Sequence, residues 1–174
     1  MDINNKLDEL KNILKKAELF NHAISILNFD VETIAPKDAL EDENETINYF
    51  SNEYFKMLNN DNVNSLIVYL HDNIKRLDYY DQLLIEKLYE SYLKSKNITP
   101  EFDLKRNQIY SKGYMAWLDA KEKKDYNLFK EAFNNVINIQ KEEINLRDNK
   151  FDSLYDNMLN DCEKGLLQAG SYAW

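Results

Sequence analysis

The 174-residue chain is 44% hydrophobic and 30% charged, so it is long enough to bury a sizeable core, too apolar for disorder and too charged for a membrane interior. Three glycines and two prolines leave little material for tight turns, which excludes strands joined by hairpins. A formal net charge of −9 argues against nucleic acid and anionic lipid as main partners, because both require a basic surface.

Taken in order, the chain reads as a run of helices. Ile3, Leu7, Leu10, Leu14, Ala17, Phe20, Ile24, Leu27, Val31 and Ile34 follow one another at steps of three and four, the period of one helix face. Pro36 ends that helix, since it cannot donate to the ladder and disfavours helical geometry at Ala35. Asp38 is the expected cap of a second helix over 39–59, with an acidic first turn (Glu41, Asp42, Glu43) suited to the positive end of the helix dipole. Its expected buried stripe is Leu40, Ile47, Phe50, Tyr54 and Met57 or Leu58. The Asn59-Asn60-Asp61-Asn62 cluster marks a turn, followed by a short helix carrying Val63, Leu66, Ile67, Leu70 and Ile74. Asp78 caps a fourth helix with Leu84, Leu88 and Tyr92 inward.

Thr99-Pro100-Glu101 is the clearest helix start, with an N-cap hydroxyl, proline in the first turn and an acid behind it. The fifth helix carries Leu104, Ile109, Met115 and Leu118, beside Tyr114 and Trp117. Asp125 is expected to cap the sixth, which buries Phe129, Ala132, Phe133, Val136, Ile139 and Leu146. A last short helix covers 153–161 and stops at Gly165. No fixed period recurs, which disfavours a solenoid. The expected class is all-α: a multi-helix bundle of six to seven antiparallel helices.

The residues for chemistry are sparse. His22 and His71 are the only histidines; neither begins a His-Glu pair, so no His-Glu-x-x-His zinc motif exists here. Positions 19 and 68 are Leu and Val, which removes the Glu-x-x-His ligands of a di-iron bundle. Cys162 stands alone, so no internal disulfide forms and it reads as a structural thiol. There is no Gly-x-Ser-x-Gly elbow and no phosphate loop. Glu18 and His22 are helix neighbours at the spacing of an ordinary surface contact. Asp30 and Glu32 lie two apart and so point to different sides, which suits one of them tying the helix end to its neighbours better than joint acid–base work. Twelve tyrosines, Trp117 and Trp174 suggest a carbohydrate or peptide groove, although aromatics at helical spacing belong to a core more often. The Lys15-Lys16 and 121–124 clusters read as solvated faces. On these residues the expected catalytic and metal-ligand sets are both none.

Three blocks resemble the carboxypeptidase Taq family of metallopeptidases. The first is Ile26-Leu27-Asn28-Phe29-Asp30-Val31-Glu32-Thr33-Ile34-Ala35-Pro36, similar to Leu-Leu-x-Trp-Asp-x-Glu-Thr-x-x-Pro. The second is Ala116-Trp117-Leu118-Asp119-Ala120-Lys121 with Asp125 and Phe129 following, similar to Ala-Trp-x-x-Ala-Arg-x-x-x-Asp-x-x-x-Phe. The third, running from Tyr155 to Gly165, is similar to Tyr-Asp-x-Leu-Leu-x-x-Tyr-Glu-x-Gly. They occur in family order. Phe29 stands where the family has tryptophan, Lys121 where it has arginine, and Glu43 where the second helix usually has arginine.

The resemblance implies that residues 1–165 form the single helical N-terminal region of a zincin-like metallopeptidase, with 166–174 a tail unlike the family's continuation. It implies a helical wall and lid over one side of a peptide groove. The parent activity would be removal of C-terminal amino acids from peptides by a zinc (or cobalt) enzyme. The ligands and general base that the resemblance implies lie in a later His-Glu-x-x-His helix and glutamate, so this chain is expected to hold no cofactor and to be inactive alone. The alternatives are a freestanding helical interaction module and the N-terminal part of an oligoendopeptidase. Expected partners are a peptide substrate in the full-length family and a second copy of the chain in a homodimer, with neither nucleic acid nor membrane. Residues 1–5 lack the basic and apolar regions of a signal peptide, which gives a cytoplasmic expectation.

Overall fold

The computed structural model describes residues 2–148, 151 and 153–165. Among these residues there are seven α-helices and no strand: α1 (Ile3–Thr33), α2 (Leu40–Leu58), α3 (Asp61–Asp72), α4 (Tyr79–Ser95), α5 (Pro100–Lys123), α6 (Asn127–Asn145) and α7 (Leu154–Cys162). A single 3-10 turn, Ile74–Arg76, joins α3 to α4.

Several helix ends follow directly from local chemistry. The side chains of Asn60, Asp78, Thr99 and Ser153 each accept a backbone N–H at the start of α3, α4, α5 and α7. Glu101 lies one residue beyond Pro100, and hydrogen bonds from its own backbone and from Thr99 hold its carboxyl below the ordinary value. Asp38 does not cap α2. Ala39 occupies the N-cap with no side-chain bond, because a turn closed by Ala39 N donating to Pro36 O (2.9 Å) carries Asp38 off the helix axis. At α6 the N-cap is Tyr126, yet Asp125 still accepts from the backbone of Asn127 at 3.0 Å. Gly165 takes φ +84°, the left-handed conformation of a helix stop.

The long helices lie side by side. α1 packs on α2, α2 on α5 and α5 on α6, each pair antiparallel. Phe20 meets Phe50 with ring centroids 6.0 Å apart, Ser111 donates to Asn48, and Gly113 faces Val136. An ideal Cβ on Gly113 would lie 2.8 Å from Val136 Cγ2, so glycine here sets how closely α5 and α6 approach. This arrangement gathers the N-termini of α1 and α5 and the C-termini of α2 and α6 at one end of the row. The α3–α4 hairpin and α7 pack at that end, which we call the covered end. Among the described residues the opposite end holds the four helix tips and the turns that leave them, and we call it the open end.

The core sits under the cover. Ile3, Leu7 and Leu10 of α1 join Val63, Leu66, Ile67 and Leu70 of α3, Leu77, and Ile85 of α4 in one cluster. Leu10, Leu70 and Ile85 are fully excluded from solvent. Each such side chain stabilises the fold by about 1.5–3 kcal/mol through burial. In α4 it is Ile85, and not Leu84, that reaches the centre.

At the open end the expected core stripes surface instead. Ile34 is 73% exposed and Phe29 62%, and Ile26, Trp117, Tyr126, Leu128 and Phe133 are exposed as well. The burial expected for Ile34 and Phe133 therefore fails: side by side the helices cover Leu40, Ile47 and Ala120, but among the described residues no second layer lies over Ile34 and Phe133. Trp174 and the tail lie outside the described residues.

Candidate functional site

The residues that sequence reasoning weighed for chemistry do not converge. His22 is exposed on α1, and no hydrogen bond or ion pair joins it to Glu18 among the described residues. Glu18 instead faces Tyr54, whose hydroxyl is raised above its ordinary pKa by burial and then by that carboxylate. His71 stacks flat on Tyr89, with centroids 3.6 Å apart and planes 7° from parallel. Among the described residues no group of three or more His, Cys, Asp or Glu side chains is placed to hold a metal ion. Cys162 is exposed at the end of α7 rather than buried. Neither carboxylate of the Asp30–Glu32 pair forms a side-chain bond among the described residues. The helix end is closed by the Asp30 carbonyl, which accepts from Ile34 and Ala35 at 2.9 Å each.

The structure assembles a different set, an ionic chain at the covered end that runs from a buried Asp103 to an exposed Asp161. Asp103 is 2% exposed on the first turns of α5. It accepts from the Arg106 guanidinium and from Asn107 at 3.1 Å, while the nearby Asn52 amide of α2 donates to the Pro100 carbonyl at 2.7 Å. Burial raises its carboxyl above the ordinary value, with Arg106 and the two amides opposing. Arg106 also donates to Glu143 at 3.1 Å, and Glu143 accepts from Arg147 at 3.2 Å. Arg147 continues to Asp161 of α7 at 2.7 Å, and Asp161 takes a further bond of 2.6 Å from Lys94 of α4. Burial acts to raise the Asp161 carboxyl, but the bonds from Lys94 and Arg147 outweigh it and hold the group below its ordinary value.

One ionic chain thus ties α4, α5, α6 and α7 together. Its sequence signal was weak: Asp103, Arg106 and Glu143, Arg147 are helix neighbours at ordinary surface spacing, and only the meeting of α5 with α6 buries them. The Arg147 side chain is 9% exposed, and its Nε is buried with no acceptor. A buried donor left unpaired costs about 1–3 kcal/mol, and more when charged.

The open end offers the second candidate, an apolar surface. Ile26 and Phe29 of α1, Tyr114 and Trp117 of α5, and Leu128 and Phe133 of α6 are all exposed there. Tyr114 stacks on Trp117, with centroids 5.9 Å apart, and Lys121 Nζ sits 4.9 Å from the Trp117 ring centre. Two of the three motif blocks read from sequence, around Phe29 and Trp117, therefore meet at this end. Lys37, just past Pro36, bonds Glu122 of α5 at 2.5 Å and fixes the α1–α2 turn to the tip of α5. No described helix is long and apolar enough to cross a membrane.

Comparison with known proteins gives these features a setting. The chain is 29% identical over 160 residues to Carboxypeptidase 1 of Bacillus subtilis (strain 168), a match that covers 90% of this chain and 32% of that protein. The crystal structure of BsuCP superposes with a TM-score of 0.82 at 26% identity, covering 90% of this chain and 31% of that one. The Apo-Mg carboxypeptidase of Pyrococcus furiosus shares the fold, with a TM-score of 0.70 at 21% identity over 92% of this chain and 32% of that one. The chain thus spans about a third of the length of each of these relatives. The profile of the family described as Carboxypeptidase Taq (M32) metallopeptidase matches residues 9–170, and the chain belongs to that family.

Proposed function

We propose that these residues form the helical wall and lid side of a metal-dependent carboxypeptidase, and that they act as scaffold to a catalytic centre carried elsewhere. The observation that carries this reading is the open end, a row of helix tips whose apolar side chains face solvent. Exposed apolar side chains gathered at one end of a fold are what a covering polypeptide or a ligand would pack on. The share of the relatives' length, about a third, supports a protein body large enough to cover it.

The family implies a metal, with zinc or cobalt as the proposed ion. The described residues do not fit one: His22 stands alone on a solvent face and His71 is committed to Tyr89. No step of peptide hydrolysis is therefore routed through these side chains. Their part is to shape one side of a groove for the peptide, with Trp117 and Phe29 as apolar contact surface.

A chimera tests the reading. Residues 9–165 replace the matched third of the Bacillus subtilis carboxypeptidase, and release of C-terminal residues from a blocked dipeptide is measured. Retained turnover is expected, and loss again on changing Phe29 and Trp117 to serine. Turnover by the 174-residue chain alone, with zinc or cobalt added, would sink the proposal. The same apolar face favours a second reading, pairing of two copies of the chain, which light scattering over a concentration series would detect.

A further inference from the structure

α1 carries a second apolar stripe on the side opposite its core face. Ile13, Ala17, Phe20, Ile24, Leu27 and Val31 are buried or half-buried. Half a turn away, Leu19, His22, Ile26, Phe29 and Thr33 are all exposed, Leu19 by 69%, Ile26 by 57% and Phe29 by 62%. Their steps of three, four, three and four make the narrow seam by which one helix grips another, and a polar residue within such a seam, His22, sets register. A helix that packs on one side only is polar on the other, so this stripe has no use among the described residues. α1 is also the edge of the helical row. It packs on α2 and, through Ile3, Leu7 and Leu10, on α3.

The borders of the stripe are acidic. Glu18 and Glu32 lie along one side and Asp30 along the other, and neither Asp30 nor Glu32 has a side-chain bond among the described residues. Such borders attract lysine or arginine on a partner and repel acids. They also argue against a second copy of this chain. Two antiparallel α1 stripes would set Lys16 against Asp30, but they would set Glu18 against Glu32 as well, so attraction and repulsion cancel. From Leu19 to Thr33 the stripe is about 21 Å long, short for holding separate chains together but sufficient for a helix tethered in the same body.

We propose that the outer stripe of α1 docks one amphipathic helix from the part of a carboxypeptidase body that lies beyond this chain's match. That helix carries apolar residues at three-and-four spacing and lysine or arginine along its borders. The inference names what covers one edge of the proposed scaffold, and so rests on that reading. The match covers 32% of the Bacillus subtilis protein, which leaves ample chain to supply the helix. Phe29 lies where the stripe reaches the open end, and there it borders both the docked helix and the proposed groove.

Photo-crosslinking in the chimera that carries residues 9–165 tests the assignment. A benzophenone maleimide is attached through Ile26→Cys, with Cys162→Ser removing this chain's own thiol. Irradiation and mass spectrometry identify the segment captured by position 26. One helical segment from outside the replaced third is expected, with an apolar seam bordered by lysine or arginine. Glu18→Lys with Glu32→Lys should lower the yield about fivefold or more. Capture of a second chimera molecule, capture of a segment lacking those cations, an unchanged yield after charge reversal, or no capture in a chimera that turns over substrate would each overturn the proposal. Turnover is read separately, so a folded chimera without it counts against the scaffold reading while capture still decides this one. A further check needs no chimera. In the 174-residue chain, Leu19→Ser with Ile26→Ser should lower Tm by less than about 3 °C, as for exposed positions. A larger fall would show that the stripe is packed within this chain, and would overturn the docking surface.

Discussion

Along α1 the same apolar spacing meets two environments, although Leu40, Ile47 and Ala120 are buried toward the open end and Tyr79, Tyr80 and Tyr155 are exposed at the covered one. At the covered end, Leu7 and Leu10 of α1 are closed in by α3 and α4, and Asp103 of α5 is buried against a half-buried Arg106 that reaches Glu143 of α6. At the open end, Ile26, Phe29 and Ile34 of the same helix continue the same apolar spacing and face solvent. A helix face is only as buried as the layer laid over it, and here that layer stops halfway along α1. The lesson is that an apolar stripe records where a partner surface belongs, whether or not the same chain supplies it.

Truncation at the two ends should break this comparison most visibly. Leu70→Ala empties a fully buried site under the cover and is expected to cost about 2–5 kcal/mol in urea unfolding. Phe29→Ala in the isolated chain should stay within about 0.5 kcal/mol, since it removes surface contact only. Similar losses from both would mean that the ends do not differ as described.

Gly113 sits between the two regimes. Gly113→Ala pushes a methyl to within 2.8 Å of a stiff valine branch, and a loss of about 1–3 kcal/mol is expected. Pairing it with Val136→Ala should recover part of that loss if the clash is the cause. At the open tip of α5, Lys124 takes φ +54°, a conformation glycine adopts without a Cβ penalty. Lys124→Gly should therefore raise stability by up to about 1 kcal/mol, less what glycine loses in chain entropy.

The acids of the covered end sharpen the picture through pH. Asp103 has its folded pKa above the ordinary 3.8, so between those values the native state holds a proton that the unfolded chain has released. Stability from this group is greatest at low pH and declines as pH rises through the window. Asp161 is shifted the other way, below 3.8. Its contribution is complete above that ordinary value and is lost as pH falls through its folded pKa. Asp103→Asn and Asp161→Asn should thus tilt the acid side of the stability–pH curve in opposite senses. Parallel tilts in the two variants would contradict the opposed environments assigned to these carboxyls.

Much of the fold was legible in local pattern. The three-and-four spacing of α1, the Thr99-Pro100-Glu101 start and the stop at Gly165 are written in residues whose effect reaches only one turn. The Asp38 cap misled because the turn at Pro36 decides where the helix axis begins, and that depends on several backbone bonds at once. Family membership was legible for a related reason, since the blocks around Phe29, Trp117 and Tyr155 preserve side chains at fixed intervals. The chain from Asp103 to Asp161 was not legible. Asp103 with Arg106 and Glu143 with Arg147 have the spacing of surface pairs, and only the approach of separate helices removes water from around Asp103 and Arg147.

By itself the sequence determined helical content, most of the helix limits and the poverty of metal-ligating side chains, because each rests on residue type and short-range spacing. The tertiary structure alone decided which apolar stripes are covered, where the guanidiniums of Arg106 and Arg147 lose their solvent, and that the Phe29 and Trp117 blocks fall at one end of the helical row. These depend on which helix lies against which, and dielectric and burial at a point are set by every element that surrounds it.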